Sequence, residues 1–463
     1  MGPTMQSTTS QGFKRTGLLG MGLLTMTVLA SGCDVTNPGP VQDEFLAAPA
    51  AQPGLINGAK RAISINFRAL AQDLALIGRE VFPGGQTGAW GNPVYIHAGH
   101  IQEGFGSGFT AFHEARFITE TAIARFTEVG ATDNMLHQAH LWAGWSYRLL
   151  GENWCDAVIP SQDPTNVDPP AYHAGTTAPY FERAVENFTA AHQRATSDQQ
   201  RHAALAGRAS AHLWLGNWAE ALADARQVPD NFRITVELSS SEESLYNYIA
   251  EATSGTFRSH TVRFTWFEDY YTETGDPRTP WAVDPNHSVA VGSLSGFGQV
   301  PYIPQRKYAS RDDDINLASG WEMRLVEAEA ILQGAGSGSF NDAMTLINHV
   351  RTRNISDNDG QPLVPWVANS AEEAWTFLKR ERNIELWLEG RRMGDERRWA
   401  ERNTPGTLDL PEWENPSHPG HTPLFVENRR GLSVDPTQGG PLCLDIPVSE
   451  RDRNPNVPAT LGG

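Results

Sequence analysis

Two carboxylates four residues apart, Glu385 and Glu389, are the first feature with chemical potential. At helical spacing they share one face, and paired carboxylates are the equipment of glycoside hydrolysis. Their neighbours point elsewhere. Arg382 lies three residues before Glu385 and Arg392 three after Glu389, and opposite charges at that spacing pair on a helix. Ile384, Trp387 and Leu388 would bury the other side. The pattern predicts an ion network that holds helices in register. Two carboxylates on one rigid helix also do not readily flank a sugar from opposite sides.

Other constellations carry less. His137 and His140 sit three apart on a predicted helix, but no third metal ligand is near, so they are expected at the surface. His97 and His100 read as solvated loop residues. Asp312-Asp313-Asp314 lacks the glycine and spaced acids of a calcium loop and is expected to lead and cap a helix. No Gly-x-Ser-x-Gly, His-Glu-x-x-His or phosphate-binding Gly-Lys-Ser/Thr motif occurs. No cofactor or metal is expected.

Fourteen tryptophans suggest another use of the surface. Aromatic side chains in loops stack on sugar rings and other organic ligands. Trp90, Tyr95, Trp266, Tyr270 and Tyr271 lie in such stretches and are the candidate ligand contacts.

The elements that would position them are mostly helical. Leu55, Ala59, Ala62, Ile63, Leu70, Leu74 and Ile77 fall at helix spacing. A long loop is expected from Phe82 to Gly108, then helices over Phe109–Val129 and Met135–Leu150. Leu150-Gly151 with Trp154, and Leu215-Gly216 with Trp218, read as two similar turns of tetratricopeptide-like helix pairs. A further pair spans Glu322–Leu332 and Phe340–Arg351. Such pairs cannot bury their apolar sides alone, so stacked units share one core. The fold class is mostly α, a tetratricopeptide-like superhelix. Helices are expected over about residues 54–230 and 321–402, with a loop-rich insert of long loops and short strands at 231–320. A Pro/Gly-rich loop and C-terminal segment follow at 403–463.

The first residues read as an export signal. Lys14 and Arg15 precede an apolar run, Leu18 to Ala30, too short to span a bilayer. Ala30-Ser31-Gly32 then leads to Cys33, the pattern of a lipoprotein cleavage site, with Leu29 one place further upstream than usual. Residues 1–32 are the expected signal, and residues 33–53 a polar, Pro/Gly-containing tether lipidated at Cys33. The formal net charge of −18 disfavours a nucleic-acid partner. Cys155 and Cys443 are free to form a disulfide in an exported protein.

Several stretches, in order, resemble the SusD/RagB family of outer-membrane nutrient-binding lipoproteins. They begin with Asn37-Pro38 and Asp43-Glu44-Phe45-Leu46. Gly275-Asp276-Pro277-Arg278 follows, then Lys307-Tyr308 and Asp312-Asp313-Asp314-Ile315 before Glu322 to Ala330. Ile347-Asn348-His349-Val350-Arg351, the run from Glu381 to Arg392 with Asp395, Arg398 and Trp399, and Ile446-Pro447 with Glu450 and Asn454-Pro455-Asn456 complete the set. The resemblance implies four tetratricopeptide-like units and a variable loop region. It implies a non-catalytic lid that captures a glycan or other oligomeric nutrient for a SusC-like TonB-dependent transporter, anchored at the outer membrane and facing the exterior. A lipid-anchored hydrolase and a pure protein-interaction scaffold also fit the residues.

Overall fold

A computed structural model describes residues 48–84, 108–161, 168–254, 256–292, 299–409 and 443–458. Cys33, Trp90, Tyr95, His97 and His100 lie outside them. Residues Asp43–Gly463 group as one compact unit, and no helix among the described residues is long and apolar enough to cross a membrane.

The chain starts with helix α1, Gln52–Ile77, which has a proline in its first turn, where a missing N–H costs nothing. It buries Ile56, Ala59, Ile63, Phe67, Leu70 and Leu74 at three- and four-residue intervals. Strand β1 (Phe82–Pro83) follows, then helices α2 (Phe109–Glu128) and α3 (Asp133–Asn153). Strands β2 (Ala157–Ile159) and β3 (Ala171–His173) form an antiparallel pair. Helices α4 (Ala178–Gln193), α5 (Asp198–Leu215) and α6 (Trp218–Ala225) complete the first half. Side-chain caps set several starts: Thr132 accepts from Met135 N–H before α3, and Ser197 from Gln200 N–H before α5. Gly216 ends α5 at φ 77°, a left-handed cap.

The second half begins with β4 (Arg233–Val236), helix α7 (Tyr248–Ala252), β5 (His260–Thr261) and helix α8 (Trp266–Thr274). Strand β6 (Ile315–Ser319) then pairs antiparallel with β4. Helices α9 (Gly320–Leu332), α10 (Phe340–Thr352), α11 (Ala371–Glu385), α12 (Arg392–Glu401) and α13 (Val448–Arg451) finish the chain. Gly320 has a steric reason: a Cβ there would come within 2.0 Å of the Pro229 carbonyl oxygen.

Helices pack against their neighbours in chain order from α1 to α6, and then from α9 to α11. Helix α6 packs directly on α9, so the helical array runs past the insert without a gap. This mostly helical build is compatible with stacked tetratricopeptide-like pairs. A large core runs from α1 to β6, and a second joins α6, α9, α10 and α11 through Leu222, Leu325, Ile331, Ile347, Val350, Trp375 and Leu378.

Five expectations need correction. Gly151 is not a turn: α3 continues to Asn153, and Gly151 lets the Phe181 ring approach to 2.7 Å from where a Cβ would stand. The next element is strand β2, not a helix. The insert is not only loops and strands, because α8 forms within it. Asp312, Asp313 and Asp314 lead into strand β6 rather than a helix, where Asp314 accepts from Leu238 N–H at 2.8 Å; Ser319 caps α9 instead. His137 and His140 are not at the surface. His137 is fully buried with Nδ1 2.8 Å from Ala191 O, and half-buried His140 has Nδ1 3.0 Å from Asn187 Oδ1.

Candidate ligand-binding face

Helix α8 is short and aromatic, and three features hold it. Phe267 and Tyr270, three apart, bury inward. Gly275 ends the helix at φ 60°, and a Cβ there would lie 2.6 Å from Asn358 N, so the 354–363 loop packs tightly on this turn. Asp276 then anchors Arg278 through two bonds, Nε to Oδ1 at 3.0 Å and Nη2 to Oδ2 at 2.7 Å.

Tyr270 belongs to this support. It is 4% exposed, its ring stacks on Trp266 at 4.7 Å, and its hydroxyl donates to Asp276 Oδ2 at 2.7 Å and accepts from Arg351 at 2.7 Å. Burial, with Asp276 and Glu381 beside it, pushes its pKa well up. As a ligand contact Tyr270 is therefore corrected: packing and hydrogen bonds occupy its ring and hydroxyl. Trp266 and Tyr271 stay partly open. The Tyr271 ring meets Trp281 edge-on at 5.7 Å, and its hydroxyl donates to Asp357 Oδ2 at 3.0 Å. Trp281 donates through its indole N–H to Glu268 O at 3.2 Å. Tyr271 and Trp281 thus meet as one aromatic face, while Trp266 packs on Phe267 and Tyr270.

Sequence reasoning missed Trp281 and Asp357. Trp281 lies three residues beyond Arg278 in the same aromatic stretch, which was a usable signal. Asp357 carries none, because it meets Tyr271 across 86 residues of chain.

Below this face lies the charged run that suggested catalysis. Glu385 and Glu389 do not share a helix face: α11 ends at Glu385, and Leu388 and Gly390 turn the chain at φ 62° and 67°. Arg278 lies 2.6 Å from Glu381 and 2.8 Å from Glu385, and Arg353 also binds Glu385 at 2.8 Å. Burial works to lower the Arg278 pKa, but Glu381, Asp276 and Glu385 outweigh it and hold it well above its ordinary value. Lys307 binds Glu389 at 2.9 Å. The expected partners also differ: Arg382 pairs with Asp395 and Arg392 with Glu396.

The expected register-holding network is present and larger than the sequence suggested. Arg148, Arg382, Arg391 and Arg398 interleave with Glu152, Glu322, Glu329 and Asp395, tying α3, α9, α11 and α12 together. All eight are buried, and the equal numbers of each sign offset one another where all are ionised. Arg398 and Glu329 make a doubly bonded pair to which Trp399 adds an indole N–H at 3.1 Å. A disulfide joins Cys155 to Cys443 with Cα atoms 5.1 Å apart, and the adjoining Leu444 N–H donates to Asn153 O at 2.7 Å. The 443–458 segment is thereby strapped to the end of α3. Among the described residues no set of three or more His, Cys, Asp or Glu side chains converges as metal ligands would.

With this geometry in view, comparisons with known proteins settle the fold. Residues 322–458, which span α9 to the C-terminal strap, match the SusD family model. A SusD superfamily protein from Bacteroides thetaiotaomicron superposes with a TM-score of 0.66 over 88% of this chain and 98% of its own, at 16% identity. The fold is SusD-like. A SusD-like carbohydrate-binding protein from Bacteroides vulgatus is also similar, with a TM-score of 0.52 over 78% of this chain and 85% of that one, at 16% identity. So is a protein crystallised with xylogluco-oligosaccharide, with a TM-score of 0.53 over 75% and 82% of the two chains, at 13% identity. No curated protein matches the sequence. The segment matched by the family model contains Glu381 and Glu385 but not α8 or Trp281.

Proposed function

We propose that this SusD-like protein binds a saccharide without transforming it. It is anchored to the bacterial outer membrane through lipid on Cys33, with the 33–53 tether leaving the body free to move, and it faces the exterior. There it delivers its ligand to a SusC-like TonB-dependent transporter. Trp266, Tyr271 and Trp281 present rings to the ligand, with Trp90 and Tyr95 as further contacts from the preceding loop. Apolar ring faces with polar edges suit the mixed surface of a sugar.

The observation that carries this reading is the division of labour around α8. Its outer rings are left partly open, while Glu381, Glu385 and Glu389 beneath them are engaged by Arg278, Arg353 and Lys307. A carboxylate clamped by guanidinium groups is a poor proton donor or nucleophile. The carbohydrate-binding relatives support the ligand class by analogy of fold.

Calorimetric titration against a panel that includes xylogluco-oligosaccharides tests it. Binding without turnover, weakened in Trp266→Ala and Trp281→Ala, is the expected result. Hydrolysis that disappears in Glu385→Gln would replace this reading with an enzymatic one. Co-purification of a barrel transporter from a native membrane tests the partner.

A further inference from the structure

The insert holds a second concavity beside the aromatic face. A cleft of about 310 Å³ opens between α7 and the segment from Tyr302 to Arg311, near the lower end of the range for small-molecule sites, about 300 Å³. The backbone joins it to the aromatic face: Trp281 pairs with Gln305 in an antiparallel bridge, and Ala282 N–H donates to Pro304 O at 3.3 Å.

The charges on the cleft wall are unequally engaged. Glu251 holds Arg311 with both oxygens. Asp284 accepts from Asn286 N–H at 2.8 Å with one oxygen, and its other lies 3.1 Å from His287 Nδ1. Both carboxylates thus have partners inside the protein, Glu251 a guanidinium and Asp284 a backbone N–H and a histidine nitrogen. Arg306 differs. It is exposed, and among the described residues its guanidinium has no hydrogen bond or ion pair. Its backbone is nonetheless fixed, since Arg306 N–H donates to Pro280 O at 2.7 Å. The adjoining Gln305 is buried and bonds to Tyr308 O, Tyr308 N–H and Thr253 Oγ1.

We propose that this cleft is a subsite for a carboxylate carried on a sugar ring, with Arg306 reading the charge while the Tyr271–Trp281 face takes a neighbouring ring. The inference rests on the saccharide-binding reading above and deepens it by naming an acidic ligand class. A planar guanidinium meets both oxygens of a carboxylate with two parallel N–H bonds. Its anchored backbone reduces the ordering that binding requires. The net charge of −18 sharpens the effect. An anionic oligosaccharide is repelled by most of this surface, so a guanidinium without a hydrogen-bonded partner beside the stacking face decides where its carboxylate settles.

The test uses the purified protein with uronate-containing oligosaccharides, oligogalacturonate and glucuronoxylan fragments, and the same oligosaccharides with each carboxyl reduced to a hydroxymethyl group. At least one acidic member should bind about tenfold more tightly than its reduced form, a preference that salt erodes. Arg306→Gln should abolish the preference and leave affinity for the reduced form and the Tm unchanged. Arg306→Lys, which keeps the charge but not the fork, should retain part of it. Reduced forms that bind as well as their parents, or a preference that survives Arg306→Gln, would overturn the acidic subsite and leave saccharide binding intact. No binding by any member, acidic or reduced, would overturn both.

Discussion

The Arg278 guanidinium lies 2.6 Å from the Glu381 carboxylate, with neither side chain appreciably open to water. This contact fastens the insert to the helical array, since Arg278 follows α8 and Glu381 lies in α11. Removing one partner of a buried ion pair strands the other. Arg278→Ala is expected to cost about 3–5 kcal/mol in urea unfolding. Arg278→Lys should cost less, because it returns the charge without the planar fork.

Tyr270 separates support from recognition. Tyr270→Phe keeps the ring stacked on Trp266 but removes the hydroxyl that joins Asp276 to Arg351. Stability should fall by about 1–3 kcal/mol. Saccharide affinity should hold within about twofold of the parent, less than 1 kcal/mol. A large loss of affinity at unchanged Tm would mean that Tyr270 touches the ligand after all.

The Cys155–Cys443 link closes a loop with a sequence separation of 288. Cys443→Ser should lower stability by about 2–5 kcal/mol. It should also expose the 443–458 strap to limited proteolysis before the rest of the body is cut. Identical cleavage patterns for parent and variant would show that Leu444 and Ile446, both buried, hold the strap without the bond.

Three acids set a pH dependence, the first being Asp73, which burial raises to about 8. Burial pushes the Glu80 carboxyl up to about 8, partly opposed by its bond from Leu388 N–H and by Arg392 and Lys307. Burial likewise raises Glu322 to about 7 against the pull of Arg148 and Arg382. A raised carboxyl pKa means that the folded state holds its proton more tightly than the unfolded chain does. No penalty exists below the ordinary value near 4.5. Stability then falls as pH rises through the interval, by up to about 1.4 kcal/mol per pH unit for each group, and levels off above 8. Glu80→Gln should flatten this slope in unfolding measured from pH 5 to 9. An unchanged slope would remove Glu80 as its source.

How much of this was readable follows from the range of the interactions. The helices of the array announced themselves through three- and four-residue spacing, whereas the cap of α9 was sought at Asp312 to Asp314 and lies at Ser319. Helix α8 did not announce itself. Its aromatic and threonine residues favour helix weakly, and it forms because Phe267 and Tyr270 are buried by distant partners. The break after Glu385 was equally hidden. Leu388 adopts a positive φ because its N–H donates to the Glu80 side chain, 308 positions away. The charged run could be recognised as a network from its composition, yet the pairing could not be read. Arg382 pairs with Asp395 of α12 rather than with Glu385, and Arg392 with Glu396 of its own helix rather than with Glu389.

The β4–β6 ladder brings the two ends of the insert together. Val236 and Ile315 face each other as partners in it, so everything between leaves and returns at one point. Helices α6 and α9 pack together across the insert, yet Leu238, Ile249, Val262, Phe267 and Tyr308 of the 237–314 excursion belong to the main core, so only its exposed stretches can change length and composition while the helices keep their packing. A graft of this segment onto another SusD-like array should carry Trp281 and Arg306 with it only where the host supplies acids for Arg278 and Lys307 and a core that receives Phe267 and Tyr308.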